Sequence, residues 1–168
     1  MNLTDPNSPI RRAYALLVTG ASYLQSPFLL AVRLFWGWQF FQAGWGKLFE
    51  KGVSGVAEFF TELNIPMPYV SALLASVTEC VGGLFLLVGF ATRLTCLPLI
   101  FTMIVALATT EQEAIGKIFS EPDEFFKTAP FLFLYASIIV LIFGPGVFSV
   151  DYLLQRKLGA ATPPPAAR

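Results

Sequence analysis

Four stretches of this chain are apolar and long enough to cross a lipid bilayer as helices. They comprise residues 28–48, 69–90, 94–110 and 128–144. A membrane-spanning helix needs about 20 apolar residues, and about 17 at the lower limit, because the hydrocarbon core is about 30 Å thick. Charged residues make up only 13% of the chain, whereas a typical soluble domain has about 25%. The sequence therefore predicts an all-α membrane protein, a four-transmembrane-helix bundle with short interfacial helices.

Helix-breaking residues set the limits of the predicted membrane domain. Pro98 lies inside the third stretch and predicts a kink there. Pro130 falls in the first turn of the fourth, where proline is tolerated, and a Gly-Pro-Gly sequence at 144–146 ends that helix. We assign residues 28–153 to one membrane domain. Residues 154–168 end in a Pro- and Ala-rich run and are predicted to form a disordered cytoplasmic tail.

Residues 1–27 form a separate N-terminal segment. Its apolar residues recur at helical spacing, at Ile10, Tyr14, Leu17, Ala21 and Leu24. This spacing predicts a helix that lies in the membrane interface. The alternative is a cleaved signal peptide, since Arg11 and Arg12 precede a short apolar run, although Thr19 and Gly20 interrupt that run and no clear small-x-small cleavage site follows.

The distribution of Lys and Arg predicts the orientation, because cytoplasmic loops carry an excess of both. One side of the predicted bundle carries the cations Arg11, Arg12, Arg93, Arg156, Lys157 and Arg168. The loops on the other side carry only Lys51, Lys117 and Lys127, with Lys47 at a helix end, beside eight acids: Glu50, Glu58, Glu62, Glu111, Glu113, Glu121, Asp123 and Glu124. We therefore predict a multi-pass protein of the inner (cytoplasmic) membrane with both termini in the cytoplasm.

The two outer loops contain amphipathic segments. In the first, apolar side chains recur at helical spacing at Val56, Phe59, Phe60 and Leu63. The second, residues 111–127, has a similar mixture of acidic and aromatic residues. These segments either form a lid over the outer mouth of the bundle or anchor in the lipid headgroups.

Three ionisable residues fall within the predicted spans, namely Arg33, Lys47 and Glu79. A charge inside a bilayer costs about 2.5–3.5 kcal/mol on insertion scales, so each needs a partner or a function. Lys47 can extend toward the outer interface, but Glu79 lies roughly 15 Å from either end of its helix. Glu79 is expected to be either a functional polar site or half of a structural ion pair with a cation of the first helix.

Small residues predict where the first two helices meet. The face of the first helix that bears both cations also contains Gly37 and Gly44. The face of the second helix that bears Glu79 also contains Gly82 and Gly83. Because small residues let membrane helices approach closely, these two faces are predicted to pack together.

The residue types present exclude several kinds of site. The chain has no His, which removes His-ligated haem, His-ligated metals and His acid–base chemistry. Its two cysteines, Cys80 and Cys96, have no CxxC spacing, and their predicted axial offset of roughly 12 Å is too large for a disulfide. We predict no catalytic residue, no metal site and no covalently bound cofactor. Lys plus Arg and Asp plus Glu are balanced at 11 each, so nucleic acid is not an expected partner.

The tryptophans are confined to the first predicted span, at Trp36, Trp38 and Trp45. They either line an aromatic groove that holds a quinone ring or a lipid tail, or pack against lipid and anchor the helix at the interface.

Over residues 28–153 the sequence resembles the DoxX family of small four-helix membrane proteins. The resemblance rests on an ordered set of short motifs: Arg33, GWGKLF at 44–49, NIPMP at 64–68, ECVGG at 79–83, Gly89 with Thr92 and Arg93, and GPG at 144–146 with SVD at 149–151. It implies that Arg33, Lys47, Glu79 and Arg93 are characteristic polar positions, without a firm catalytic role. Many relatives carry a His just before the first-helix glycine, where this chain has Ala43.

Family resemblance also suggests a role. Some relatives are associated with membrane-bound sulfur oxidation, as a subunit of thiosulfate:quinone oxidoreductase, and others with oxidative-stress complexes. The expectation is therefore an accessory subunit of a larger quinone-linked electron-transfer complex, with the lipid bilayer and other membrane-protein subunits as partners and quinone or lipid as a possible ligand. Two alternatives remain: a small-solute or proton permeation module centred on Glu79, and an autonomous quinone-linked oxidoreductase.

Overall fold

The computed structural model describes residues 9–159, and their regular structure is entirely helical. The helices are α1 (Pro9–Trp45) with a π-helical turn (Gly46–Glu50) at its end, α2 (Gly52–Glu62), α3 (Pro68–Val88), α4 (Thr92–Thr110), α5 (Gln112–Gly116), α6 (Pro122–Phe126), α7 (Ala129–Phe143) and α8 (Val150–Lys157). The predicted all-α class is confirmed for this part of the chain.

Three of the described helices are long and apolar enough to cross a membrane. They span Ile10–Glu50, Pro68–Val88 and Thr92–Thr110, with 41, 21 and 19 residues. The fourth apolar helix, α7, has 15 residues and is roughly 22 Å long, which is shorter than a hydrocarbon core of about 30 Å. These lengths define a helical membrane protein.

Two predicted boundaries fall inside helices. α1 is continuous from Pro9 and runs through Pro27, so no break separates residues 1–27 from the membrane domain in the described range. At the other end, α8 continues to Lys157, past the tail boundary predicted at residue 154. The residue before α8, Ser149, caps the helix: its Oγ accepts a hydrogen bond from the Tyr152 amide at 3.1 Å. The rest of the predicted tail, residues 160–168, lies outside the described residues.

The packing of the long helices creates one main apolar core. α1 lies along α3, α4 lies along α7, and α3 and α4 are joined by the short turn at residues 89–91. The core residues are Phe40, Leu86, Cys96, Leu99, Met103 and Val140. α4 continues through Pro98, whose carbonyl accepts a hydrogen bond from the Thr102 hydroxyl at 2.9 Å.

The first outer segment folds onto the helices. In α2, Val56 and Ala57 are buried against Ala72 of α3, while Phe59 is half-exposed. α2 therefore packs its inner face on protein and leaves an apolar edge outside. The second segment forms only the short helices α5 and α6, in which the phenyl rings of Phe125 and Phe126 contact Phe131 at the start of α7.

Candidate functional site

Lys47 and Glu79 form an ion pair between α1 and α3. The ammonium Nζ of Lys47 lies 2.6 Å from Oε1 and 2.7 Å from Oε2 of Glu79. The Glu79 side chain is 2% exposed, whereas that of Lys47 is 32% exposed. The carboxylate is therefore deeply buried, and the lysine joins it to more accessible space.

A π-helical turn presents Lys47 to this pair. The α-helical hydrogen bonds of α1 end at Trp45, and the amide of Lys51 donates to the carbonyl of Gly46 at 2.9 Å. A π turn holds one more residue than an α turn, so it rotates the side chains that follow, and such turns are frequent at functional sites. The sequence pattern does not distinguish this turn from continued α-helix.

Glycines bring α1 and α3 into backbone contact beside the ion pair. A Cβ on Gly44 would lie 2.2 Å from the amide nitrogen of Cys80, and a Cβ on Gly83 would lie 2.4 Å from that of Phe41. A Cβ on Gly37 would lie 3.0 Å from the carbonyl oxygen of Gly83. This contact holds α1 close enough for the Lys47 side chain to reach Glu79.

Gly82 does not take part in the α1–α3 contact. Its nearest neighbours belong to the Leu99 side chain of α4, 3.0 Å from an added Cβ. The expectation that Gly82 and Gly83 both face α1 is thus wrong for Gly82. Successive helix residues differ by about 100° in direction, so two adjacent glycines point at different neighbours.

A cavity of about 190 Å³ adjoins the ion pair. It is lined by Phe40, Ala43, Lys47, Glu79, Met103, Ala106, Ala129, Pro130 and Phe133. Two of these residues are charged and the others are apolar, which is typical of a ligand pocket with a few polar groups that fix orientation. The rings of Phe40 and Phe133 meet edge to face, with centroids 4.5 Å apart.

Arg33, the other candidate partner of Glu79, has different contacts. It is buried, and its guanidinium donates to the carbonyls of Leu86, Leu87, Pro145 and Phe148. Fourteen residues separate Arg33 from Lys47, which places them roughly 21 Å apart along α1. Arg33 therefore joins α1 to the end of α3 and to the segment before α8.

A second element of this junction, Asp151, did not stand out in the sequence. Its Oδ1 accepts from the Ala91 amide at 2.6 Å and its Oδ2 from the Thr92 amide at 2.8 Å. These bonds cap the N-terminus of α4, where backbone amides lack helical partners. Ala91 has φ +44°, so the cap also holds a left-handed turn. No local sequence pattern predicts this cap, because Asp151 and the amides that it binds are about sixty residues apart in sequence.

Arg93 lies at the same end of the protein but on its surface. Its Nη2 donates to the carbonyl of Ile142 at 3.4 Å, and its guanidinium approaches Gly144. The four polar positions thus divide into two sites: Lys47 and Glu79 share the cavity, whereas Arg33 and Arg93 lie at the α3–α4 turn.

The two cysteines are not joined by a disulfide. Cys80 and Cys96 are both buried and both free. Among residues 9–159, no group of three or more His, Cys, Asp and Glu side chains is placed to hold a metal ion.

The fold and the buried charges define a helical membrane protein with an internal polar site. The chain belongs to the DoxX family, whose family model matches residues 28–112. That range contains Arg33, Lys47, Glu79 and Arg93, and it ends before α7 and Asp151. The resemblance stated from the sequence motifs is confirmed.

Two relatives are similar over most of their length. Inner membrane protein YqjF of Escherichia coli is 32% identical over 134 residues, which cover 77% of this chain and 93% of the relative. Uncharacterized membrane protein Rv3486 of Mycobacterium tuberculosis is 28% identical over 145 residues, covering 80% and 85%. No solved structure gives a significant match.

Proposed function

We propose that this chain is an inner-membrane ligand-binding module, and that the cavity beside Lys47 and Glu79 holds a single-ring molecule of the quinone class. The observation that carries this proposal is that one cavity is lined by the buried carboxylate of Glu79, the partly accessible ammonium of Lys47 and two phenyl rings. The name of the E. coli relative supports the inner membrane as its location.

The size of the cavity supports a ligand with one ring. Its volume is about 190 Å³, and an apolar cavity of about 150 Å³ suffices to bind benzene. A complete drug-sized ligand needs about 300 Å³ or more. A substituted six-membered ring therefore fits inside, while an attached isoprenoid tail has to remain outside among the lipids.

The chemistry of the charged pair supports a ligand with a carbonyl oxygen. An ammonium has three N–H donors, and two hydrogen bonds of Lys47 go to Glu79. A remaining N–H can donate to an oxygen of a ring bound in the cavity beside the touching rings of Phe40 and Phe133. The Glu79 carboxylate, held by Lys47, keeps that ammonium in place at the cavity wall.

Ligand binding is expected to stabilise the purified protein. Decylubiquinone at 100 times its Kd should raise the free energy of unfolding by about 2.7 kcal/mol, because it binds only the folded state. The melting temperature in detergent, measured with and without the quinone, tests this.

A matched pair of variants on α4 locates the binding. Ala106→Leu places a large side chain in the cavity and should abolish the quinone-dependent rise in Tm. Ala108→Leu adds the same atoms at an exposed position on the same helix and should leave it intact. Loss of the rise in both variants, or in neither, argues against this cavity.

We further propose four crossings with both termini cytoplasmic. α7 supplies the fourth crossing although it is short, because it packs along α4 and a bilayer can thin locally around a short span. The proposal rests on the Lys and Arg bias of the loops.

This topology has a direct test. Single cysteines introduced beside Arg93 and Arg156 should react with a membrane-impermeant maleimide only from the cytoplasmic side, and those beside Glu58 and Glu121 only from the outside. Outside labelling near Arg93 would reverse the orientation. The native cysteines are buried, so the unmodified protein gives the background.

Permeation is less well supported than binding. Between Lys47 and Arg33, the packed face of α1 consists of Gly37, Phe40 and Gly44, and the glycines touch the α3 backbone. This dry interface provides no chain of polar groups to carry a proton or a solute along it.

A role as an accessory subunit of a quinone-linked complex is compatible with ligand binding. The observation that favours a partner is Phe119, 99% exposed between α5 and α6 in an acidic segment. There Lys117 contacts Glu113 at 3.0 Å and Glu124 at 3.6 Å. The hydrogen bond that Lys117 donates to Glu113, together with the charges of the nearby carboxylates, raises the pKa of Lys117. Purification in a gentle detergent at native levels should recover a stoichiometric partner, and a Phe119→Ser variant should weaken its recovery.

A further inference from the structure

The N-terminal half of α1 extends well beyond the packed helices. α1 has 37 residues and is roughly 55 Å long, against a hydrocarbon core of about 30 Å. Every side chain from residue 10 to residue 21 is exposed, and Leu29 is the first that is buried. About 27 Å of helix, between Pro9 and Pro27, therefore lies outside the contact with α3.

This N-terminal extension, residues 9–26, is amphipathic. An apolar stripe is formed by Ile10, Tyr14, Leu17, Ala21 and Leu24. The opposite side forms a polar stripe, with Arg11, Ala15, Thr19, Ser22 and Ser26. Both follow the spacing of one helix face. In the apolar stripe the large side chains are exposed, with Leu17 at 67%, so the helix requires an apolar surface.

The two stripes continue the two sides of the membrane half of α1. The polar stripe is in phase with the buried positions Leu29, Arg33 and Gly37, which face the rest of the bundle. Leu29 lies near Gly146, and Arg33 and Gly37 contact α3. The apolar stripe is in phase with Phe28 and Phe35, which are exposed on the lipid-facing side. The extension thus turns its apolar side away from the bundle.

Pro27 provides the place for a bend. Proline has no backbone N–H, so the carbonyl of Tyr23 lacks its helical donor, and such positions are where helices bend. A helix that leaves a bilayer and folds down onto it places the inner side of the bend against lipid. Because that inner side has to be the apolar stripe, the bend must point outward, away from α3.

We propose that residues 9–26 form a surface helix that bends at Pro27 and lies on the cytoplasmic leaflet, directed away from the bundle. Its partner is the phospholipid surface, with the apolar stripe in the acyl region and the polar stripe from Arg11 to Ser22 toward water. Ser26, beside the bend, keeps its hydrogen bond from the Val147 amide. The segment would then anchor the protein at a fixed depth and occupy membrane beside the bundle, independently of any ligand in the cavity.

The full-length protein in vesicles of phosphatidylethanolamine and phosphatidylglycerol tests this without other proteins. Spin labels are attached at Tyr14→Cys, Leu17→Cys and Leu24→Cys on the apolar stripe, and at Ala15→Cys, Thr19→Cys and Ser22→Cys on the polar stripe. The apolar positions should be accessible to oxygen and shielded from a water-soluble nickel complex, and the polar positions should show the reverse. All six positions are exposed or nearly so in the structure, so the substitutions should not disturb folding.

Three results would overturn the proposal. Access of the nickel complex to all six labels means that the helix projects into water. Oxygen access at all six, with depths near the bilayer centre, means that it extends a transmembrane span. Broadening between labels on the apolar stripe that disappears on dilution with unlabelled protein means that a second copy, and not lipid, covers the stripe.

Discussion

Glu79→Gln should destabilise the protein by on the order of 3 kcal/mol, because removal of one member of a buried ion pair leaves the other charge without a partner. The substitution places a neutral amide where the carboxylate is 2% exposed, so the charge left behind is the Lys47 ammonium. Because Lys47 is partly accessible, the expected loss of stability is at the lower end of the range for buried ion pairs. The drop in Tm of the purified protein in detergent is the measurement.

Two further variants test whether that loss of stability comes from the Lys47–Glu79 ion pair. Lys47→Met combined with Glu79→Gln should recover most of the stability, since it removes both charges and keeps similar volumes. Glu113→Gln breaks the exposed pair with Lys117 and should leave Tm unchanged. If Lys47→Met and Glu79→Gln act additively, the two side chains are not coupled and the ion pair has no energetic role.

The double variant also separates structure from binding. A purely structural pair predicts that the stable double variant still responds to decylubiquinone. The proposed function predicts that the response is lost, because the ring oxygen has no ammonium donor. The two roles therefore differ in one measurement on a folded protein.

Gly44→Ala should have the second large effect, a loss of about 3 kcal/mol or failure to fold. Its Cβ would lie 2.2 Å from the Cys80 amide nitrogen and 2.7 Å from the Ser76 carbonyl oxygen. Overpacking usually costs about 1–3 kcal/mol, and here the obstacle is backbone that cannot rotate away. Folded yield and Tm in detergent report the effect.

Gly20→Ala is the matched control on the same helix. Nothing lies within 4 Å of its added Cβ, so the change should be neutral or slightly stabilising, since alanine favours helix. Equal Tm values for Gly44→Ala and Gly20→Ala would show that α1 and α3 are not in close backbone contact.

The long helices were predictable because bilayer thickness sets their length. α3 and α4, at Pro68–Val88 and Thr92–Thr110, lie within a few residues of the predicted 69–90 and 94–110. The same rule pointed to Lys47 and Glu79, since a charge within an apolar span is costly wherever the helices pack. Helical spacing then correctly predicted that Gly37 and Gly44 lie on the face of α1 that contacts α3.

Features that depend on tertiary contact were not predictable from spacing. The depths of Arg33 and Lys47 in the membrane did not decide which of them pairs with Glu79. The π turn at Gly46–Glu50 has no characteristic sequence pattern. Gly82 of α3 was predicted to contact α1, because a helical face is broad. Its neighbour in the structure is Leu99 on α4. Asp151 was named only within the SVD motif at 149–151, because an N-terminal cap supplied from a distant segment leaves no local pattern.

The central claim, that the cavity beside Lys47 and Glu79 binds a quinone ring, is tested most directly by photolabelling. The protein in native membranes is irradiated with an azido-substituted short-chain quinone, and the modified peptides are identified by mass spectrometry. The account predicts adducts on residues that line the cavity, with Phe40, Met103 and Phe133 among them, and their loss in Ala106→Leu but not in Ala108→Leu. Adducts confined to lipid-facing side chains, or equal labelling of the two variants, would contradict it.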